Sequence, residues 1–385
     1  MSFPLADPQV RPATPAEARV DLAAIQHNVA VLREHARGAE LMATVKADGY
    51  GHGMAEAAQA ALRGGATRLG TAFVREALAL RAAGIDVPVL AWVITPGEPL
   101  DEAAEQGIEL SAGAAWVLEE IAAAAARTGR TVGVHLKADT GMSRGGATAA
   151  EWPDLVDLAL ARQAEGLIRV AGLWSHFACA DEPGHPSIAA QQAAFADAVQ
   201  VAEKAGVRGA IRHLSNSAAT LSLPEVAYDM VRPGIAVYGL SPIPQLGDFG
   251  LRPAMTLTAR LAIAKRVPAG SGVSYGHLYV TPRETTLGLV PLGYADGILR
   301  HATNLAEVLV GGARHRIAGR VCMDQFMVDV GDTEVQVGDE VVLFGPGDDG
   351  EPTCQEWADS LGTITYEIVT RIGARVPRVY SGVNT

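Results

Sequence analysis

The chain has little cysteine. Among 385 residues there are three, Cys179, Cys322 and Cys354, and no two stand in a CxxC spacing. So odd and sparse a set supports neither a disulfide framework nor a zinc site, and a reducing, cytoplasmic setting is the simpler expectation. Basic clusters are missing too. The formal net charge is −12, and no Lys/Arg-rich run offsets it locally. That charge repels nucleic acid and anionic lipid at long range. It still leaves room for a small anion wherever a local Arg, Lys or helix N-terminus overrides the global sign. Long apolar runs are also absent: the alanine run at 122–126 is too short to span a bilayer and ends at Arg127. No basic stretch leads into an apolar one at the N-terminus, so no signal peptide is expected. With Pro4, Pro8, Pro12 and Pro15, residues 1–18 read as a loose tail.

What is present points to a folded chain of more than one unit. Hydrophobic residues make up 49% and charged residues 19%, a balance that excludes a disordered protein. The length suits a large barrel with a second domain. From about residue 20 to 235, short apolar or β-branched runs alternate with Ala/Leu/Glu-rich amphipathic stretches. Strands are expected at 41–46, 68–73, 89–93, 108–111, 132–138, 168–175, 210–214 and 227–231. Helices fit between them at 22–36, 52–63, 75–83, 112–128, 151–163 and 187–205. Gly84, Gly107, Gly129 and Gly206 stand where helix C-caps belong. Eight β-then-α units argue for a parallel sheet closed on itself, an N-terminal (β/α)8 TIM-like barrel. Beyond about residue 250 the texture changes to alternating apolar runs, such as TTLGLVPLGYA and FMVDVG, cut by Gly, Pro and Asp. This predicts a C-terminal, mainly antiparallel β domain with short helices near 354–361 and 366–372. The fold class is therefore α/β, with domains expected at 1–245 and 246–385 and a Pro/Gly-rich linker at 241–250.

Barrel enzymes carry their chemistry at the C-terminal ends of the strands. Lys46 falls at the end of the first expected strand, Lys137 and Asp139 at the fifth, and His176 at the sixth. Asn216 and Ser217 follow the seventh, and Arg232 the eighth. A lysine ending an apolar strand is partly desolvated, which lowers its pKa and frees a neutral amine to attack an aldehyde. Taken alone, Lys46 also reads as a structural lysine with its head at the rim. The run Lys137-Ala138-Asp139-Thr140-Gly141-Met142-Ser143-Arg144 reads as a site for an anionic substrate, with Arg144 as a forked donor. It reads equally as a solvated loop with a surface ion pair. The stretches 215–217 and 231–235 sit where barrels often bind phosphate through backbone N–H groups and small hydroxyls. Ser217 is also a plausible helix N-cap. The five tryptophans, Trp92, Trp116, Trp152, Trp174 and Trp357, read as packing residues.

In this order the chain contains TVKADGYGHG, LKADTGMSRGG, WSHFACADE, HLSNSAAT, MVRPGIAVYGL, GVSYG, GYADG, GRVCMDQ and TYEIVTRIGARVPRVY. With these motifs it resembles the bacterial alanine racemases from about Arg19 to Tyr380. The resemblance implies a pyridoxal 5'-phosphate-dependent isomerase that supplies D-alanine for peptidoglycan, working as a homodimer with shared active sites. By position, Lys46 matches the lysine that holds the cofactor as an imine and serves as base on one face of the substrate. Tyr275 matches the opposite-face base, contributed by the partner subunit. Tyr50, Ser217, Gly234, Ile235 and Tyr366 match the phosphate-binding set, and Asn216 is expected to bind the cofactor with them. Arg232 matches the arginine on the pyridine nitrogen, and His176 the histidine linking it to the tyrosine. Arg144 and Met323 match substrate-carboxylate contacts. Tyr294 and Asp324 match the mouth of the substrate channel, and Lys137 matches a lysine that is carbamylated in many members. No metal is implied.

Two other readings stand beside this one. A racemase of broader substrate range would share the fold, but its relatives are generally exported and no export signal is seen here. A non-catalytic pyridoxal-phosphate-binding barrel would lack the C-terminal β domain and the GVSYG tyrosine.

Overall fold

The computed structural model describes residues 14–382. They form two compact units, one of Leu22–Pro253, the other of the described residues up to Asp21 together with those from Ala254 onward.

In the first unit eight strands lie parallel in one sheet: Glu40–Thr44, Arg68–Thr71, Val89–Ala91, Glu109–Ala112, Val132–Lys137, Ile168–Trp174, Ile211–His213 and Met230–Val231. Each strand pairs with its neighbour in sequence up to the seventh, and the eighth pairs with the first, Glu40 opposite Met230. Single hydrogen bonds, rather than a ladder, bridge the seventh and eighth. The Asp229 N–H donates to the Arg212 carbonyl at 3.1 Å, and the Arg232 N–H to the Ser215 carbonyl at 2.9 Å. The result is the expected (β/α)8 barrel. Its strands are almost wholly buried, which is why they read as short apolar runs rather than as alternating ones. Met42, Leu90 and Met230 form one buried cluster, with Trp92 and Ile211 packed against it.

Helices Leu22–His35, Met54–Arg63, Val74–Ala82, Ala115–Thr128, Trp152–Ala164 and Pro186–Ala205 lie close to the expected places. The glycines at 84, 107, 129 and 206 all take positive φ just past helix ends, where a side chain would be strained. A further helix, Leu100–Glu105, went unforeseen because six residues carry too little periodicity.

In the second unit a six-stranded sheet has the order Ala313–Arg316, Glu307–Val310, Glu340–Phe344, Met255–Arg260, Ala16–Asp21, Arg378–Ser381. All of its pairs are antiparallel except the last. A second antiparallel sheet joins Ile263–Val267, Thr285–Val290 and Phe326–Gly331. The strand Ala16–Asp21 corrects the expectation of a loose tail to residue 18, while residues 1–13 lie outside the described residues. Ala16, Ala18 and Val20 point inward, a period of two that the upstream prolines obscured. The units divide at Pro253/Ala254, just past the 241–250 stretch expected as linker. Among the described residues no helix is long and apolar enough to cross a membrane.

Candidate active site

Lys46 stands two residues beyond the first barrel strand. The chain then turns through a left-handed coil: φ is 53° at Ala47, 53° at Asp48, 61° at Gly49 and 53° at Tyr50. For a residue with a Cβ that conformation costs roughly 1–2 kcal/mol, so something must hold it. Glu76 does. One carboxylate oxygen accepts the Ala47 N–H at 2.7 Å, and the other accepts the N–H groups of Ala72 and Phe73 at 2.8 and 3.1 Å. Asp48 accepts the Met54 N–H at 2.9 Å and so starts the next helix, which begins at 54 rather than at the expected 52. The Lys46 Nζ lies 6.0 Å from the Tyr50 ring centre and 5.9 Å from that of Trp92. Burial pulls its amine below the ordinary lysine range, and Arg144 pushes the same way against Glu76.

More cations gather on the same rim. The Lys137 Nζ sits 4.5 Å above the Trp174 ring, and the Arg232 guanidinium 4.9 Å from it. Burial, with Arg144 and Arg232 adding repulsion, brings Lys137 down to about 8. Asp139 shapes the Arg144 loop by accepting the N–H groups of Gly141, Met142 and Ser143 at 3.0–3.1 Å. Arg232 is buried, and its Nη2 donates to the Ser175 carbonyl at 2.8 Å and to His176 Nδ1 at 3.3 Å. Burial takes this guanidinium down to about 9, still protonated at neutral pH. His176 is pulled well below its ordinary value by burial, then by Arg232, Arg144, Lys137 and Lys46. A positive rim in a chain of net charge −12 is suited to an anionic ligand.

Beside it is a small-group cradle. The Ser217 hydroxyl accepts the Gly234 N–H at 2.8 Å and the Ala236 N–H at 3.4 Å. Ser217 is therefore not the N-cap of its helix, Ser217–Ser222. Asn216 is, through the Ala219 N–H at 3.0 Å. A Cβ at position 234 would lie 2.2 Å from the Tyr50 hydroxyl, so only glycine lets that hydroxyl approach the backbone here. Ile235 begins the 3-10 turn that follows, and the Tyr50 and Tyr238 rings lie 5.0 Å apart. Hydroxyls of Tyr50 and Ser217 next to backbone N–H groups make a donor set that fits a phosphate monoester.

The remaining expected residues belong to the second unit. Tyr275 is 70% exposed, on a turn where Ser274, Gly276 and His277 all take positive φ. Ser274 anchors that turn by donating to the Arg320 carbonyl at 2.7 Å. Nearby, the Tyr294 and Ala295 N–H groups donate to the Cys322 and Met323 carbonyls at 3.0 and 2.9 Å. This close approach needs Gly293, where a Cβ would fall 2.3 Å from the Met323 carbonyl oxygen. Asp324 pairs with Arg375 at 2.8 Å. Tyr366 lies in the helix Thr365–Thr370 and is half-buried.

Sequence reasoning missed two residues of the barrel site. Glu76 carried no signal, being one glutamate in an amphipathic helix. Trp174 reads from sequence as a packing residue, yet Lys137, Arg232 and His213 all lie against its ring. Its place at the end of the sixth strand was the available clue. Among the described residues no group of three or more His, Cys, Asp or Glu side chains is placed to hold a metal ion.

The family model described as alanine racemase, N-terminal domain, matches residues 20–242, and the one described as alanine racemase, C-terminal domain, matches residues 254–380. The alanine racemase of Frankia casuarinae is 63% identical over 94% of this chain and 95% of its own length. That of Thermobifida fusca is 61% identical over 95% and 98%. The crystal structure of alanine racemase from D-cycloserine-producing Streptomyces lavendulae superposes with a TM-score of 0.96 at 55% identity, covering 97% of this chain and 98% of that one. Fold, motif order and near-full-length identity agree, and the chain belongs to the alanine racemase family of isomerases.

Proposed function

We propose that this protein interconverts L-alanine and D-alanine with pyridoxal 5'-phosphate, in a homodimer with shared sites, and so supplies D-alanine for peptidoglycan in the cytoplasm. The observation that carries the reading is the Lys46 amine, lowered by burial and set on the same rim as the Tyr50/Ser217/Gly234 cradle. When bound, pyridoxal phosphate supplies the electron sink for the pair left on the substrate α-carbon. In this reading Tyr50, Ser217, Gly234, Ile235 and Tyr366 hold the phosphate, with Asn216 capping the helix beneath. Lys46 holds the cofactor aldehyde and moves the α-proton on one face.

The partner subunit's Tyr275 would move the proton on the other face. Exposure of Tyr275, Met323 and Tyr294 at 70%, 53% and 44% leaves these side chains open to a second subunit. A phenol of ordinary pKa near 10 is a poor base at neutral pH. His176 answers this: Arg232 can only donate, so His176 Nδ1 accepts and its Nε2–H is left to steady a phenolate. Arg232 would donate to the ring nitrogen without yielding its proton, which would keep the sink weak and limit side reactions. Arg144 and the Met323 backbone orient the substrate carboxylate, and Tyr294 lines the way in.

The test is a chiral assay of L- and D-alanine, serine and lysine with and without added cofactor. Borohydride trapping and peptide mapping then locate the cofactor. Alanine conversion in both directions, with the label on Lys46, is expected. Untouched alanine, faster turnover of another amino acid, or label on another lysine would each overturn the proposal.

A further inference from the structure

Beneath Arg232 the barrel interior carries a line of polar groups that the chemistry above does not use. Arg232 Nη1 donates to His213 Nδ1 at 3.0 Å. His213 Nε2 stands 2.8 Å from His135 Nδ1, and His135 Nε2 stands 3.1 Å from a Glu109 carboxylate oxygen. Both imidazoles are fully buried, and Arg232 and Glu109 nearly so. Arg68 and Arg169 hold the same carboxylate at 2.9 and 3.2 Å. Glu109 and Arg68 open their strands, whereas Arg232 follows the last one, so the line runs from one end of the barrel to the other. Room is reserved for it. A Cβ on Gly172 would lie 2.1 Å from His135 Nδ1, and the Trp174 ring stacks on His213 at 5.7 Å.

Donor chemistry places the protons. A guanidinium only donates, so His213 Nδ1 accepts and its proton sits on Nε2. That N–H needs a lone pair on His135 Nδ1, so the His135 proton also sits on Nε2, aimed at Glu109. A carboxylate only accepts, and both ends therefore demand one arrangement. Protonating His135 would face its new N–H to that of His213, and protonating His213 would face its new N–H to Arg232. Unmade bonds in so dry an interior are costly.

We infer that His213, His135 and Glu109 are positioning residues for Arg232, a hydrogen-bond chain of fixed direction that always presents it a lone pair from beneath. The guanidinium then keeps one orientation, and its charge is answered by a carboxylate at the far end of the barrel. Only the consequence for cofactor binding rests on the proposed role of Arg232.

Solid-state 15N spectra of histidine-labelled protein, cofactor-free and cofactor-loaded, read the chain directly, with signals assigned by their loss in His135→Asn and His213→Gln. Two neutral, Nε2-protonated imidazoles at pH 7 are expected. An imidazolium or an Nδ1-protonated ring at either position overturns the inference, whether or not the protein binds cofactor. The dissociation constant of pyridoxal phosphate supplies a second readout. Glutamine at 213 can accept from Arg232 and donate to His135, so His213→Gln should stay within about threefold of the parent. His213→Leu should weaken binding by about tenfold or more, as for loss of a charge-assisted hydrogen bond. Equal affinities in the two variants overturn the inference. If His213→Leu does not fold, the spectra decide. Failure of the parent protein to bind pyridoxal phosphate would instead sink the reading of the site and leave the proton arrangement standing.

Discussion

Two of the chain's four lysines, Lys46 and Lys137, have amines lowered by burial, and both sit on the cationic rim. For Lys137 the consequence can be stated with its sign. The folded value of about 8 lies below the ordinary lysine range, so between the two the unfolded chain holds more protons. Lys137 therefore opposes folding in full below pH 8, and the penalty fades as pH rises from there toward about 10.4. A modification that replaces the positive charge with a negative one would relieve it at neutral pH and turn repulsion by Arg144 and Arg232 into attraction. Carbon dioxide does this: the neutral amine that a lowered pKa provides adds to its carbon and loses one proton to water, which leaves a carbamate anion. Protein equilibrated with 13C-bicarbonate near pH 8 is expected to show one carbamate resonance, lost in Lys137→Arg. A spectrum without that resonance would rule the modification out.

At the scale of elements, the left-handed coil from Ala47 to Tyr50 is the feature on which the site turns. It aims Lys46 and Tyr50 from a single strand end, and Glu76 ties it to the end of the next strand. Glu76→Gln keeps the shape but loses the charge and gives one side of the group donors where acceptors are needed. It is expected to cost about 1–2 kcal/mol of stability, seen as a lower melting temperature, together with weaker pyridoxal-phosphate binding. Unchanged melting and unchanged affinity would show that the coil stands without its brace. The coil was half legible. ADGYGHG announces a turn by its glycines, and Lys46 was read at the strand end from residue type and position. The brace was not legible, because Glu76 lies 29 residues away and acts on backbone N–H groups that have no sequence signature.

For the whole molecule, the proposed sites take Lys46 from one subunit and Tyr275 from the other. A mixed dimer of Lys46→Ala with Tyr275→Phe then contains one doubly altered site and one intact site. Unfolding and refolding the two inactive variants together should restore about a quarter of parent activity, since about half the dimers are mixed and each has one live site. No recovery, despite mixed dimers confirmed by differential tagging, would contradict shared sites.

The sequence by itself determined the parts whose meaning is local. The eight barrel strands, six of the helices, the glycine caps, and the lysine, serine and arginine near strand ends depend on residue type and near neighbours, and their places are legible in the sequence. Tertiary structure alone decided what depends on distant strands meeting. The strand Ala16–Asp21 exists because Met255–Arg260 and Arg378–Ser381 flank it. The choice of Asn216 over Ser217 as cap followed from where Gly234 came to rest. Glu109, His135 and His213 stand on the fourth, fifth and seventh strands, and only closure of the barrel brings them into one line. Hydrogen bonds of that kind reach a few ångströms in space without regard to separation along the chain, so no window of sequence contains them.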